Sequence, residues 1–340
     1  MDPIALTRQL VDIESISGNE AAVGNFLLRE LAALGFQTSK MPVLFPAEAT
    51  CGAGERFNVY AHVPQSPPAV VFSTHMDTVP PFISSSEDSE RIYGRGSCDA
   101  KGIMAAQITA AVRLREQGFP IGLLYVVGEE RDSLGAETAN RHAPGSRFLV
   151  NGEPTGNRLA LASKGSLRVE LTATGRMAHS AYPELGESAI DKLLDALQRL
   201  RQMPLPVSQE IGPCTLNIGV IEGGRAPNVV PDFARAQLQY RLVGLSDQLR
   251  TQIQDAVRDL ATPNFVLEIP FVRLRTIDGL PTMVAKFTTD IPRLSNWGEP
   301  LLVGPGSIHV AHTEGECIAK QELLEAVELY ERIARRLHSG

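Results

Sequence analysis

The stretch VVFSTHMDTVP at residues 70–80 decides how the chain is read. It opens on apolar and small residues, long enough for a buried strand, and ends on His75 and Asp77, two positions apart. A period of two sets both side chains on one side of an extended segment. In open α/β sheets ligands gather outside the carboxyl ends of strands, so the pair stands where chemistry is expected. His75 can then bind a metal while Asp77 accepts a hydrogen bond from its other ring nitrogen. A surface His-x-Asp at a strand end is the plainer alternative, and the rest of the chain must decide.

Outward from this stretch, helical periodicity runs through residues 3–35, broken at 15–18 and stopped by Gly35. Strand-like segments follow near 36–43, 57–62 and 69–74, with a turn and short ribbon at 87–93. Residues 101–117 read as a helix, 122–127 as a buried strand, 133–142 as a helix and 148–150 as a strand. Such alternation favours a sheet covered by helices. After Gly156 the pattern changes to strands near 158–162 and 165–174, a helix near 186–200, strands near 214–222 and 233–242, a helix near 246–260 and a strand near 264–270. The β-α-β-β-α-β order within it is that of a ferredoxin-like split fold. A final helix spans 319–336. The expected organisation is an α/β domain at 1–160 and 274–340, interrupted by an α+β domain at 161–273.

Composition narrows the class of function. Two domains suit 340 residues. A formal charge of -7, with 6% aromatic residues and no long run of like charge, excludes a general nucleic-acid-binding surface. No apolar run approaches the ~20 residues of a membrane span, and the first residues lack the pattern of a signal peptide. Cys51, Cys98, Cys214 and Cys317 are scattered, form no C-x-x-C pair, and are expected to be reduced thiols of a cytoplasmic protein.

Four further segments carry chemistry. GRGSCDAKG (94–102) presents Asp99 on a glycine-rich turn before a helix. It lacks the order of a phosphate loop, and its carboxylate could bridge two cations or simply cap the helix. VVGEE (126–130) places Glu129 and Glu130 after a buried strand, one able to bind metal while the other faces substrate. NGEPT (151–155) sets Glu153 at another strand end, and GPGSIHVAHT (304–313) brings His309 and His312. Together these form a hard nitrogen and oxygen donor set suited to Zn²⁺, Co²⁺ or Mn²⁺.

With THMDTVP, GRGSCDAKG, GEE, NGEPT, GRMAHSAYP, NVVPD and GPGSIHVAHTEGE in place, the chain resembles the ArgE/DapE/carboxypeptidase G family of two-metal amidohydrolases over nearly its whole length. The resemblance implies a zinc-peptidase-like α/β domain with helices around a mixed sheet, interrupted by a ferredoxin-like lid that often dimerises. It implies that His75, Asp99 and Glu153 hold one divalent ion and Asp99, Glu130 and His312 a second, Zn²⁺ first, with a cis peptide after Asp99. His312 is preferred to His309 because Thr313 follows it and Glu316 stands four residues on. Asp77 would orient His75, Glu129 would be the general acid/base, and His179 would stabilise the oxyanion, often from the partner subunit. Asn228, Arg241 and Gly306 would meet substrate.

The expected reaction is metal-assisted amide hydrolysis in a homodimer. The segments NGEPT and GPGSIHVAHT look closest to the acetylornithine deacetylase and LysW-lysine hydrolase branch, which points to a small N-acyl amino acid such as N-acetylornithine or N-acetyllysine. A dipeptidase or carboxypeptidase is the nearer alternative. A succinyl-diaminopimelate desuccinylase is less favoured, because Pro227 precedes Asn228 and residues 288–290 depart from its loop. A metal-binding protein without catalysis and a nucleotide-binding protein using residues 94–102 complete the alternatives.

Overall fold

The computed structural model describes residues 1–44, 55–64 and 67–339, so Cys51 lies outside the described residues. They divide into two compact units. The larger holds Met1–Leu161, Leu274–Met283 and Thr289–Gly340, the smaller Ala162–Arg273 and Val284–Thr288. The smaller unit thus differs from the expected segment 161–273 in starting at Ala162 and in taking back a short later piece.

In the larger unit a six-stranded sheet runs in the order Gln37–Pro42, Phe57–His62, Ile121–Val126, Val70–His75, Phe148–Asn151 and Glu299–Leu302. The first two joins are antiparallel and the other three parallel. The three central strands are buried at every position, as strands covered on both faces must be. Their apolar runs therefore do not alternate with polar residues. Because these neighbours are parallel, their carboxyl ends share one edge of the sheet.

Helix Lys101–Glu116 buries almost its whole surface. Its one amide side chain inside, Gln107, donates to the Ser73 carbonyl at 2.9 Å, so burial leaves that donor satisfied. The last helix, Lys320–Ser339, turns Leu323, Val327, Tyr330 and Leu337 into the same core, a helical spacing. Tyr330 packs on Phe72 with ring centroids 5.1 Å apart, and its hydroxyl donates to the Val303 carbonyl at 2.7 Å. At the other end of the chain, Asp2 caps helix Pro3–Val11 by accepting from the Ile4 amide at 2.9 Å, with Pro3 at the first turn.

The smaller unit is a four-stranded antiparallel sheet in the order Thr215–Gly223, Phe233–Leu242, Gly165–Thr174 and Thr262–Ile269. Helices Ala189–Gln202 and Asp247–Val257 supply Leu193, Leu197 and Ile253 to its core. Ser188 begins the first of them by accepting from the Asp191 amide at 3.1 Å. The connection order is the ferredoxin-like one expected. Among the described residues no helix is long and apolar enough to cross a membrane, and Cys98, Cys214 and Cys317 are free thiols.

One contact sets the turn after the strand Ile121–Val126. Asn58, fully buried, donates to the Gly135 carbonyl at 2.8 Å and accepts from the Val127 amide at 3.1 Å. A Cβ at position 135 would lie 2.2 Å from the Val127 carbonyl oxygen. Helix Leu134–Asn140 can approach the strand end this closely only through glycine. Gly135→Ala is expected to destabilise the protein by about 1–3 kcal/mol through overpacking, read as a lower denaturant midpoint. An unchanged midpoint would contradict this packing.

Candidate metal centre

The shared strand edge collects the expected ligands. His75 ends its own strand, Glu129 and Glu130 follow Ile121–Val126, and Glu153 follows Phe148–Asn151. Asp99 stands on the turn before helix Lys101–Glu116, and the Asp99–Ala100 peptide is cis. The donor atoms of His75, Asp99 and Glu153 lie within 4.8 Å of one another, and so do those of Asp99, Glu130 and His312. Asp99 belongs to both groups. His75 Nε2 is 2.9 Å from one Asp99 oxygen, and His312 Nε2 is 3.5 Å from the other and 2.8 Å from Glu130. His309 joins neither group.

Two details set these ligands in place. Nδ1 of His75 donates to the main-chain carbonyl of Asp77 at 3.0 Å, which turns Nε2 toward Asp99. The Asp77 carboxylate stands farther off, at 3.6 Å, so the expected side-chain orientation of His75 is carried mainly by backbone. That carboxylate instead accepts from the Ser17 hydroxyl at 2.6 Å and from the Glu129 and Glu130 amides at 3.1 and 3.3 Å. Asp77 therefore shapes the turn that carries both glutamates. His312 is held at φ +64°, a left-handed conformation costly for a residue with a Cβ, and its side chain is 48% exposed.

The electrostatics call for cations. Burial alone would raise the Asp99 carboxyl, but the imidazoles of His312 and His75 more than offset it and hold it below its ordinary range. Burial pushes Glu129 well up, and the nearby Glu153 and Asp290 carboxylates add to the rise. Glu153 is likewise raised by burial, against the pull of His75. For His312, hydrogen bonds to Asp99 and Glu130 raise the ring to about 10. Carboxylates crowded out of water in this way either take up protons or bind metal. A converging set of imidazole nitrogens and carboxylate oxygens, one carboxylate common to both groups, fits two divalent ions.

Asp290 is a further buried carboxyl near Glu129 that no sequence motif singles out. It is 1% exposed and burial pushes its carboxyl up to about 7. In the sequence it stood only as part of a segment departing from a family loop, and nothing local marks it as buried. Gly306 has a backbone explanation: its φ is +85°, and a Cβ there would meet the Cys98 sulfur at 2.5 Å. Its amide donates to Glu322 at 2.9 Å.

The remaining expected residues lie in the smaller unit. His179 is exposed, and its Nδ1 accepts from the Ala181 amide at 3.1 Å. The neutral ring must then carry its proton on Nε2, which becomes a donor. Asn228 is its neighbour, its carbonyl accepting from the Ser180 amide at 3.0 Å. Arg241 lines a separate cavity of about 330 Å³ with Lys164 and Lys286. Burial lowers the Arg241 guanidinium and, with Lys286, the Lys164 ammonium, whose Nζ donates to the Pro213 carbonyl at 2.6 Å.

The peptidase dimerisation domain matches residues 161–264. A protein of Aspergillus oryzae named probable carboxypeptidase is 39% identical over 97% of this chain and 86% of its own length. A peptidase M20 domain-containing protein of Schizosaccharomyces pombe is 37% identical over 97% of this chain and 83% of its own. In three dimensions, the aminopeptidase PepT from Bacillus cereus matches with a TM-score of 0.82 at 21% identity, covering 99% of this chain and 98% of that one. The YXEP protein of Bacillus subtilis, described as a dinuclear metal binding peptidase from the M20 family, matches at 0.69 with 14% identity over 98% and 96% of the two chains. The chain belongs to the M20 peptidase family, and it is a hydrolase of amide bonds.

Proposed function

We propose that the protein is a two-metal peptidase that cleaves the amide bond preceding a residue with a free carboxylate. The observation that carries this reading is the double ligand set sharing Asp99 beside the partly buried Glu129. His75, Asp99 and Glu153 would hold one ion and Asp99, Glu130 and His312 the other, Zn²⁺ first, with Co²⁺ or Mn²⁺ as substitutes. When bound, such ions polarise a carbonyl and acidify water.

The chain's own groups supply the proton transfers and the positioning. Glu129, whose carboxyl is raised by burial, takes the proton of the attacking water and gives it to the leaving nitrogen. Asp77 holds the Glu129 amide and so aims that base. Nε2–H of His179 donates to the developing oxyanion, from the same subunit or from the partner. Arg241 takes the substrate carboxylate, a role supported by three cations lining one cavity, while Asn228, beside His179, meets another part of the substrate. Gly306 contributes through its backbone.

The carboxypeptidase names of the relatives favour a peptide as substrate. Deacylation of an N-acyl amino acid, N-acetylornithine or N-acetyllysine, uses the same chemistry on the same kind of product and is the second reading. A homodimer through the smaller unit is supported by the edge strand Thr215–Gly223 and the helix Ala189–Gln202. Ile221 on the strand is 54% exposed and Leu194 on the helix 51%, and both line one groove of mixed polarity. The cytoplasm is the proposed location.

Glu129→Gln is expected to keep two metals per chain while turnover falls about 10²–10⁴-fold, the usual worth of general acid–base catalysis. Near-normal turnover would remove Glu129 from its role. In a second experiment the metal-stripped protein, before and after reloading with Zn²⁺, is given dipeptides, their C-terminal amides, N-acetylornithine and N-acetyllysine. Cleavage should require metal and a free carboxylate, and should be fastest on dipeptides. Equal cleavage of the amides would exclude the carboxylate requirement, and cleavage by stripped protein would exclude the metal mechanism.

A further inference from the structure

Glu316 is 1% exposed and Arg95 2%, and neither is among the ligands. One Glu316 oxygen accepts from three amides of the glycine-rich turn: Gly96 at 2.9 Å, Cys98 at 3.2 Å and Asp99 at 3.1 Å. The other oxygen accepts from Arg95 Nη1 at 2.5 Å. That same nitrogen donates to the Thr313 carbonyl at 3.1 Å, and the Gly94 amide donates to the Glu316 carbonyl at 3.1 Å. A ring of backbone amides of this kind is an anion nest. Here the anion is supplied by the chain itself.

The clasp joins two loops with different cargo. One carries Asp99, shared by both ligand groups, and the other carries His312, which belongs only to the second. The two groups are not supported alike. His75 lies within a buried strand and Glu153 is buried two residues beyond another. His312 sits on a loop at φ +64° with its side chain half in solvent. Thr313, the next residue, is tied by its carbonyl to Arg95.

We infer that Arg95 and Glu316 are positioning residues for the second metal site, setting the separation of His312 from Asp99. The inference rests on the two-metal reading above. A buried ion pair serving stability alone would weaken both sites together or neither. A positioning pair weakens the second selectively.

The test is Zn²⁺ titration of metal-stripped full-length protein against a competing chelator, for the unaltered chain, Glu316→Gln and Arg95→Lys. The unaltered chain should bind two ions. Glu316→Gln keeps an oxygen for the amides but loses the charge. It should retain the first step and weaken the second about 10–100-fold, the range seen when groups supporting a ligand are removed. Arg95→Lys keeps the charge and should fall between. In activity, kcat at fixed Zn²⁺ should drop and recover with excess Zn²⁺, with KM unchanged. If Glu316→Gln does not fold, Arg95→Lys decides alone: a selectively weakened second step supports the inference and an unchanged one overturns it. Equal weakening of both steps also overturns it. Failure of the unaltered chain to bind two ions would instead overturn the two-metal reading itself.

Discussion

Crowding of like charge is the constraint on which this structure depends. Asp99, Glu130 and Glu153 stand in two overlapping groups of donor atoms no more than 4.8 Å across, with the partly buried Glu129 beside them. Two unit charges about 4 Å apart repel by about 4 kcal/mol at an effective dielectric of about 20. Burial, with two imidazoles too few to neutralise four carboxylates, holds the Glu129 and Glu153 carboxyls well above their ordinary range. Two divalent cations would resolve the conflict. The fold holds these groups together without them.

It does so with parallel strands and backbone. Three neighbouring strands end at one edge, which delivers His75, Glu153 and the Glu129–Glu130 turn without any long loop. Each turn is then fixed by a buried polar side chain that binds main-chain amides. Asp77 holds residues 129 and 130, Asn58 holds the strand end before them, and Glu316 holds the turn of Asp99. Satisfying amides with carboxylates keeps polar atoms paired inside the core and adds negative charge around the centre.

Much of this was legible in the sequence because strand periodicity and strand-end polarity coincide. The buried runs at 70–75, 121–126 and 148–151 each stop on or just before a chemical side chain, and the ferredoxin-like order followed from alternation alone. Ligand identity leaned on resemblance, since spacing could not separate Glu129 from Glu130 or His309 from His312. What stayed hidden was who holds whom. That Asp77 reaches amides fifty residues away, that Glu316 closes on Arg95, and that Asp290 is buried are facts of tertiary contact. No local pattern encodes them. The narrower substrate expectation also rested on short motifs, and relatives named carboxypeptidase turn the reading toward peptides.

The most direct measurement is diffraction from crystals grown with Zn²⁺, recorded on both sides of the zinc absorption edge. Two anomalous peaks per chain are expected, one within bonding distance of His75, Asp99 and Glu153 and one of Asp99, Glu130 and His312. No peak at these residues, or a single peak that does not touch Asp99, would contradict this expectation.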